Sequence, residues 1–321
     1  MQQPSASSAV YTPISLGLWG LRQMNSWLTQ SPKWYNAAWA YFMLSPFLFG
    51  LLVFIIGPLA FAVLVSFMDW NIIGWPRWVG VANYKEMMGD AVFWKAFWNT
   101  IFYTAGTVPT TIVISLGLAT LMNRPIRGVY LLRAVYFSPI TVSVIAVSLL
   151  WSWMYTPNFG FLNYALGLIG IPPMPWLVKA QTALLSLMIV GVWRGLGFNI
   201  IVFLAGLKSI PHELYDASAI DGANEWQQFR KVTLPMLTPT LFFAIVMAMI
   251  SSFQNFESTY IMTQGGPSNS TSTLIYYTYL QGFTFLRMGY ASAISVIFLV
   301  VVLAMTITQI KFQDRWVHYD E

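Results

Sequence analysis

The chain has 321 residues, of which 57% are hydrophobic, 17% aromatic and 8% charged, with a net charge of +5 and no cysteine. Soluble domains carry about 25% charged residues, so this composition excludes a soluble fold and indicates an integral membrane protein. The lack of cysteine excludes disulfides, thiolate zinc sites and thiol nucleophiles. Because the apolar runs are too long for barrel strands, which alternate over about ten residues, we predict an all-α fold. The modest positive charge fits membrane orientation better than nucleic-acid binding.

Residues 1–40 are predicted to form a cytoplasmic tail. A cleavable signal peptide would need a charged start and a small-residue cleavage site, and neither is clear in this stretch. Five apolar residues would share one face of an amphipathic helix lying on the membrane surface: Ile14, Leu18, Leu21, Met24 and Leu28. A poorly ordered tail is the open alternative.

Six segments are long and apolar enough to cross a bilayer, which takes about 20 residues of helix. The predicted transmembrane spans are 41–66, 100–122, 134–155, 183–207, 241–262 and 290–310. They define a six-helix membrane domain over residues 41–310, with a tail over 311–321. Pro46, Pro58 and Pro109 lie within these spans, where neighbouring helices can satisfy the carbonyl groups that a proline leaves free.

The distribution of Lys and Arg predicts the orientation of the spans. Of the 16 basic residues, five fall in one set of connections: Arg77, Lys85, Lys95, Lys179 and Arg287. Ten fall in the other set: Arg22, Lys33, Arg124, Arg127, Arg133, Lys208, Arg230, Lys231, Lys311 and Arg315. Because basic residues are enriched on the cytoplasmic side, both termini and the connection between the fourth and fifth spans are predicted to be cytoplasmic.

Three connections are predicted to face the exterior. Residues 69–99 are rich in Trp and include a stretch with the pattern of an interfacial helix and an aromatic belt. Residues 156–179 include Pro172, Pro173 and Pro175, so we expect a rigid loop. Residues 263–288 begin with a Gln-Gly-Gly-Pro sequence, which is a strong turn signal.

The most polar stretch of the chain connects the fourth and fifth spans and is called the polar segment 211–235. Pro211 suits the first turn of a helix, where its missing N–H costs nothing. Glu213 and Asp216 would then lie near the positive end of the helix dipole. The small residues 217–219 keep this helix thin enough to enter a narrow groove on a partner. One face of the helix would carry Leu214, Ala217, Ser218 and Asp221.

Gly222 is predicted to end this helix, because glycine readily takes the left-handed conformation that a helix C-terminus requires. Asn224 can cap a second helix, with Gln227 as the reciprocal partner of a capping box. That helix would bring Trp226 and Phe229 to one side before the chain re-enters the membrane. We therefore predict two short helices at an angle against the membrane face. The alternative is an ordinary interhelical loop with good caps.

The polar segment contains Asp216-Ala217-Ser218, then Gly222, then the sequence VTLP over 232–235. In order and spacing this pattern resembles the EAA loop of binding-protein-dependent ABC importer permeases. The surrounding ELYDASAIDGANEWQQFRKVTLPML looks like the carbohydrate-uptake branch, as do NYKEMMGDAVFWKAFWNT and YIMTQGGPSNSTSTLIYYTYLQGFTFLRMGYASAISVI. The family's usual Glu-Ala-Ala is Asp-Ala-Ser here, which keeps the charge on a side chain one methylene shorter.

The resemblance implies a permease subunit of an ATP-driven importer in a bacterial or archaeal plasma membrane. A second homologous permease (as a heterodimer), two cytoplasmic ATPase subunits and an external substrate-binding protein are the expected partners. ATP and Mg²⁺ would bind to the ATPase subunits, since this chain has no GxxxxGK[ST] phosphate-binding loop, and no enzymatic role, cofactor or metal is expected here. The residues expected to couple the permease to the ATPase are Glu213, Asp216, Ala217, Ser218, Asp221, Gly222, Trp226, Phe229 and Pro235.

Polar side chains inside the spans form a second candidate site. Arg194 and Glu257 are the only charged residues well inside the predicted spans. A charge at the bilayer centre costs roughly 2.5 to 3.5 kcal/mol, so each should face protein or water, and the two could pair. Interhelical hydrogen bonding is the alternative role for the amides. The predicted substrate pathway, suited to sugar hydroxyls and C–H faces, is lined by Trp193, Asn199, Gln254, Asn255, Glu257 and Tyr260.

Two other classes of membrane protein stay open from the residues alone. An ion-coupled secondary transporter would need no docking loop and would use intramembrane ionisable groups such as Arg194 and Glu257. An intramembrane enzyme would need a catalytic constellation, and the predicted spans contain no His, Cys or paired carboxylates. The substrate stays open between disaccharides, longer glucosides, polyols and glycerol phosphate.

Overall fold

A computed structural model of the protein describes residues 33–124, 128–313 and 317. The amphipathic helix predicted around residues 14–28 and most of the predicted C-terminal tail lie outside these residues. The chain divides into two compact units, Met1–Phe61 and Ala62–Glu321. Helices dominate the described part of both units.

The first unit, in its described part, consists of helix α1 (Lys33–Leu51), a π-helical turn (Leu52–Ile56) and the start of helix α2 (Gly57–Val65). The π-helical turn ends two residues before Pro58, whose ring nitrogen cannot donate the hydrogen bond of a regular helix. The stretch Trp39–Val65 is long and apolar enough to cross a membrane. It matches the first predicted span to within two residues.

The second unit begins with a two-stranded antiparallel hairpin, β1 (Met68–Asp69) and β2 (Arg77–Trp78). Two π-helical turns occur later, at Phe229–Thr233 and Leu280–Thr284. The helices follow in the order α3 (Ala82–Gly89), α4 (Ala91–Met122), α5 (Val129–Thr141), α6 (Val144–Met154), α7 (Phe161–Leu168), α8 (Ala180–Ser209), α9 (His212–Ile220), α10 (Glu225–Gln228), α11 (Leu234–Met236), α12 (Thr238–Phe253), α13 (Glu257–Met262), α14 (Leu274–Tyr279) and α15 (Met288–Gln313).

Within the described residues, five stretches are helical and apolar over a length that can cross a membrane, or six if one bent pair of helices counts as a span. The five are Trp39–Val65, Ala91–Met122, Ala180–Ser209, Thr238–Met262 and Met288–Gln313. They overlap five of the six predicted spans.

The second span starts earlier than predicted. Helix α4 begins at Ala91 rather than at residue 100, because the Asp90 side chain accepts a hydrogen bond from the Val92 backbone N–H (2.8 Å) and caps the helix. The predicted interfacial helix is therefore limited to α3. The aromatic residues that follow it form successive ring contacts along the first turns of α4: Phe93, Trp94, Phe97, Trp98 and Phe102.

The third predicted span is not a continuous helix. The chain bends by 108° between helices α5 and α6, and the two residues between them, Val142 and Ser143, are not helical, with ψ angles of 141° and 134°. Pro139 cannot donate to the Val135 carbonyl, which instead accepts a hydrogen bond from the Ser138 hydroxyl (3.0 Å). Local side-chain bonding thus replaces the helical ladder shortly before the bend.

The core of the second unit is the contact between α4 and α8. Three glycines let the two backbones approach closely, as small residues do in membrane helix pairs. These glycines pack as Gly106 against Met188, Gly191 against Tyr103 and Gly195 against Thr111. Helix α12 joins the pair through Ser252, whose hydroxyl donates to the Thr104 hydroxyl (3.0 Å) and lies 3.1 Å from the Thr107 hydroxyl. The buried apolar core beside them includes Val108, Ile112, Ile200, Phe203, Leu237 and Ala244.

Candidate functional site

The polar segment 211–235 begins directly after the long helix α8. Pro211 is the N-cap residue of α9, so it lies one position before the first turn in which it was predicted. Glu213 lies in that first turn, as predicted. Helix α9 is followed by a turn, by α10 and by the π-helical turn that leads to Pro235 at the start of α11.

Helix α9 ends at Gly222 in the way the sequence predicts. Gly222 has a φ of 77°, in the left-handed region. The N–H of Gly222 donates to the Ala219 carbonyl (3.0 Å), and the N–H of Ala223 donates to the Ser218 carbonyl (2.9 Å). This pair of bonds is a Schellman motif, which satisfies helix-end carbonyls and redirects the chain.

Helix α10 begins with the predicted capping box. The Asn224 side chain accepts from the Gln227 backbone N–H, and the Gln227 side chain accepts from the Asn224 backbone N–H, both at 2.9 Å. The rings of Trp226 and Phe229 stack with centroids 5.6 Å apart, so they lie on one side as predicted.

Three contacts brace the polar segment. The Tyr215 hydroxyl on α9 lies 2.9 Å from the Thr233 hydroxyl at the end of the segment. The Gln228 side-chain amide donates to the Tyr215 carbonyl over a longer 3.4 Å. Glu225 forms an ion pair (2.9 Å) with Arg124, which follows the last turn of α4. The polar segment and the C-terminal end of α4 therefore lie at the same end of the bundle.

Of the four residues predicted on one face of α9, Leu214, Ala217 and Asp221 are exposed and Ser218 is not. Ser218 is half-buried, and its hydroxyl donates to the Tyr215 carbonyl (2.8 Å), so it belongs to the inner side of the helix. Ile220, which sequence reasoning missed, is 87% exposed although it is apolar. The sequence did indicate its exposure, because Ile220 follows Asp216 by four residues and Ala217 by three and therefore shares their face of the helix. The exposed face carries Glu213, Asp216, Ala217 and Ile220.

The fifth span is interrupted where its polar residues lie. Helix α12 ends at Phe253 and α13 begins at Glu257, so residues 254–256 interrupt the helix inside the candidate span Thr238–Met262. The backbone carbonyl of Asn255 instead accepts from the Thr273 hydroxyl (3.3 Å). Interrupted spans are tolerated where they are buried in protein or line a cavity, and they form binding sites in other transporters.

The six residues of the predicted pathway divide into two groups. Gln254, Glu257 and Tyr260 are exposed, while Asn255 is buried and its amide nitrogen has no hydrogen-bond partner within the described residues. The Tyr260 ring stacks on Phe256 at 5.4 Å. These residues belong to the interruption and the turn of helix after it.

Asn199 and Trp193 lie on α8 and are held by other contacts. The Asn199 amide donates to the Gly195 carbonyl of its own helix (2.8 Å). The Trp193 ring contacts that of Trp151 with centroids 5.6 Å apart. In the described chain, no hydrogen bond, ion pair or ring contact joins either residue to the group around the interruption.

The proposed pairing of Arg194 with Glu257 is absent from the described residues, where ion pairs occur elsewhere. The guanidinium Nε of Arg194 is buried without a hydrogen-bond partner, and the Glu257 side chain is exposed. Arg194 on α8 and Glu257 at the start of α13 therefore do not form an ion pair with each other.

The opposite end of the bundle is held by Asp90. Its carboxylate accepts hydrogen bonds from the hydroxyls of Tyr277 (2.5 Å) and Tyr290 (2.7 Å). Partial burial acts to raise the pKa of Asp90, but these hydrogen bonds and those from the Val92 and Phe93 N–H groups outweigh it and lower the pKa. Sequence reasoning missed this site because its residues come from distant parts of the chain.

The same end is reinforced by two further contacts between these regions. Arg287 pairs with both carboxylate oxygens of Glu86 at 2.6 Å, and this hydrogen bonding raises the pKa of the guanidinium. The Asn99 amide donates to the carbonyls of Asn269 and Ser272, both at 2.9 Å. Two of the three connections predicted to face the exterior, 69–99 and 263–288, therefore lie at the same end of the bundle.

Residues 93–318 match the model of the binding-protein-dependent transport system inner membrane component family. The chain belongs to this family. It is 35% identical to the probable ABC transporter permease protein YesP of Bacillus subtilis (strain 168), over 87% of this chain and 92% of the relative. It is 32% identical to the trehalose/maltose transport system permease protein MalF of Thermococcus litoralis, over 90% of this chain and 98% of the relative.

The fold of this permease is also that of a solved transporter. A crystal structure of a bacterial alginate ABC transporter, in complex with an alginate pentasaccharide-bound periplasmic protein, contains a chain that matches with a TM-score of 0.75 and 21% identity. The match covers 88% of this permease and 96% of that chain. The protein is therefore a multi-pass membrane component of an ABC transporter, with the fold of such permeases.

Proposed function

We propose that this permease forms half of the translocation pathway of an ATP-driven importer for a carbohydrate or a related polyol or glycerol-phosphate substrate, working by alternating access. Family membership supports transport, and the relatives named for trehalose/maltose and alginate support a sugar substrate. The observation that carries the proposal is the polar segment 211–235, in which the capped and braced helix α9 exposes Ile220 at its C-terminal end.

The polar segment is proposed to dock into a cleft on a cytoplasmic ATPase subunit. Asp216 is expected to face a basic group there, and Ile220 would fill an apolar part of the cleft. Gly222 fixes the elbow between α9 and α10, while Trp226, which is 68% exposed, would extend the contact. Because the segment is braced, movement of the ATPase would displace it as a unit rather than unfold it.

The interrupted fifth span is proposed to line the substrate pathway. Gln254 and Glu257 offer hydrogen-bonding groups on exposed surface, and the stacked Tyr260 offers an aromatic face. Sugars use both kinds of contact, through their hydroxyls and their C–H faces. Asn199 and Trp193, which have other partners, would contribute only if α8 moves during transport.

The remaining parts of the importer are proposed to be separate chains. They are a second, different permease, two ATPase subunits that bind ATP and Mg²⁺, and an external substrate-binding protein. The membrane is the plasma membrane of a bacterium or archaeon. The polar segment and both termini face the cytoplasm, in line with the distribution of Lys and Arg.

Reconstitution into proteoliposomes with these partners tests the proposal. Gly222→Val places a β-branched residue in the left-handed region, which costs on the order of 1–3 kcal/mol, and Asp216→Lys reverses a charge. Both variants are expected to insert normally, yet to lose most ATP-driven uptake.

Gly170→Val is the matched control for Gly222→Val. Gly170 also has a positive φ, 75°, and both glycines have open space where a side chain would be added. The control variant introduces the same backbone strain outside the polar segment, so it should retain ATP-driven uptake. Normal uptake and ATPase co-purification in both test variants would contradict the proposal, and uptake driven by an ion gradient without ATPase subunits would favour a secondary transporter.

A further inference from the structure

The hairpin 67–79 has a well-defined tip, although its ladder is short. Its strands pair with Met68 opposite Trp78 and Asp69 opposite Arg77. At the tip, the indole N–H of Trp70 donates to the Gly74 carbonyl (3.0 Å). The Gly74 N–H in turn donates to the Asn71 side chain (2.9 Å). These bonds fix the direction in which residues 72–75 project.

The tip exposes large apolar side chains. Trp75 is 94% exposed, Ile73 84% and Ile72 45%. Ile72 also has a φ of 69°, a region that β-branched residues rarely adopt. The fold therefore keeps a strained backbone that presents apolar groups rather than burying them, which is a pattern found at contact sites.

The hairpin lies level with the ends of three candidate membrane spans. It starts two residues after Val65, where the first span ends, and Ala91 begins the second span a short helix later. The N–H of Met288, the first residue of another span, donates to the Trp70 carbonyl (2.9 Å). Ends of spans lie at the membrane–water interface, where Trp is enriched.

The charges of the hairpin cancel. Arg77 pairs with Asp69 across the ladder at 2.9 Å, and both side chains are well exposed. The tip itself contains only isoleucine, glycine and tryptophan. An apolar surface without net charge fits the interfacial layer of a bilayer and has no need of anionic lipid.

We propose that residues 72–75 insert into the interfacial layer of the membrane and anchor this end of the bundle, independently of lipid headgroup charge. The anchor is connected to Asp90 through helix α15. The Trp70 carbonyl accepts a hydrogen bond from the first residue of α15, and the Tyr290 hydroxyl on the same helix donates to Asp90. The hairpin would thus fix the depth of that end in the bilayer.

The lack of cysteine makes a direct test possible, because a single introduced cysteine gives a unique label. The variants are Ile73→Cys and Trp75→Cys, each carrying a nitroxide, in the full transporter with cysteine-free partner subunits in phosphatidylcholine bilayers. Collision rates with oxygen, which concentrates in lipid, and with a water-soluble nickel chelate report depth. Val113→Cys, at a 70% exposed position on α4, is the lipid control. Ile220→Cys, at an 87% exposed position, is the water control, and it is measured in bilayers without the ATPase subunits, because these are proposed to cover this side chain.

We expect the collision rate with oxygen to exceed that with the nickel chelate several-fold at positions 73 and 75, as at position 113. At position 220 we expect the collision rate with the nickel chelate to be the higher one. The ratio should stay unchanged when phosphatidylglycerol is mixed in, and a shift to greater depth would overturn the independence from headgroup charge. Nickel accessibility equal to that at 220 would overturn the anchor. Low accessibility to both reagents would also overturn it, since a protein partner rather than lipid would then cover the tip.

Discussion

The hydroxyl of Tyr215 on α9 lies 2.9 Å from the hydroxyl of Thr233, 18 residues later, and this contact closes the polar segment into a loop. The two residues belong to opposite ends of the segment, one before the Gly222 turn and one at the end of the π-helical turn. Because Thr233 is buried, the contact ties the exposed helix to the body of the bundle. The angle of α9 is therefore set by side chains that never reach its exposed face.

Removing this contact should loosen the polar segment without unfolding it. Tyr215→Phe is expected to lower the free energy of unfolding by about 0.5–1.5 kcal/mol, the usual worth of one hydrogen bond. It should also reduce the amount of substrate imported per ATP hydrolysed, because α9 is less well held. Tyr164→Phe makes the same chemical change on a 67% exposed tyrosine and should alter neither quantity. A double-mutant cycle with Thr233→Val measures the coupling, and no coupling energy would refute the contact.

Ile220 should contribute to binding and little to folding. Ile220→Ser removes an apolar side chain that is 87% exposed, so the free energy of unfolding should change by less than about 0.5 kcal/mol. Affinity for the ATPase subunits should fall by about 1.5–3 kcal/mol if the side chain is fully buried on docking. Titrated co-purification measures this loss. Ile169→Ser, at a 70% exposed isoleucine outside the polar segment, should leave the affinity unchanged, and equal effects of both variants would argue against docking.

Asp90 should be worth more to stability than an exposed acid. Asp90→Ala removes the shared acceptor of the Tyr277 and Tyr290 hydroxyls, so we expect a loss of about 1–3 kcal/mol in thermal unfolding of the purified transporter. Asp69→Ala breaks only an exposed ion pair and should cost less than about 1 kcal/mol. A smaller loss for Asp90→Ala than for Asp69→Ala would contradict the structure.

The pH dependence of this contribution has a definite sign. The folded-state pKa of Asp90 is lowered below its ordinary value of 3.8, so its stabilisation is complete above that value and is lost as the pH falls through the lower folded-state pKa. The difference in melting temperature between the native chain and Asp90→Ala should therefore be constant between about pH 5 and 8. A difference that varied strongly across this range would require another titrating group.

The interrupted span should affect transport more than folding. Gln254→Ala and Glu257→Ala change exposed side chains, so each should alter the free energy of unfolding by less than about 0.5 kcal/mol. Combined with Asn255→Ala, they should change the rate of uptake or the range of substrates accepted. Uptake assays with maltose-type disaccharides, polyols and glycerol phosphate make the comparison. Unchanged uptake of every transported substrate would count against the pathway.

Features set by neighbouring residues could be predicted from the sequence, whereas features set by distant ones could not. The stop at Gly222 and the capping box of Asn224 and Gln227 depend on atoms a few positions apart, and both were predicted. The acceptor role of Asp90 depends on tyrosines 187 and 200 residues away, so no local pattern revealed it.

Breaks in the spans were missed for a related reason. Residues 254–256 contain neither glycine nor proline, and their interruption is stabilised by Thr273 from a later part of the chain. The bend at Val142 and Ser143 follows Pro139, yet prolines elsewhere lie inside helices without such a bend: Pro46 and Pro109. Proline alone does not determine a bend, since the packing of the neighbouring helices decides the outcome.

The close seam between α4 and α8 has a mechanical consequence. Gly106, Gly191 and Gly195 let side chains of one helix enter the other, so neither helix can slide along its partner without a steric clash. Helix α4, with 32 residues, is about 48 Å long and reaches from the capping Asp90 to the turn that carries Arg124. A displacement of the polar segment would therefore tilt both helices as one rigid body. The far end of the bundle would then swing in the opposite direction, with its travel set by the position of the pivot along the seam.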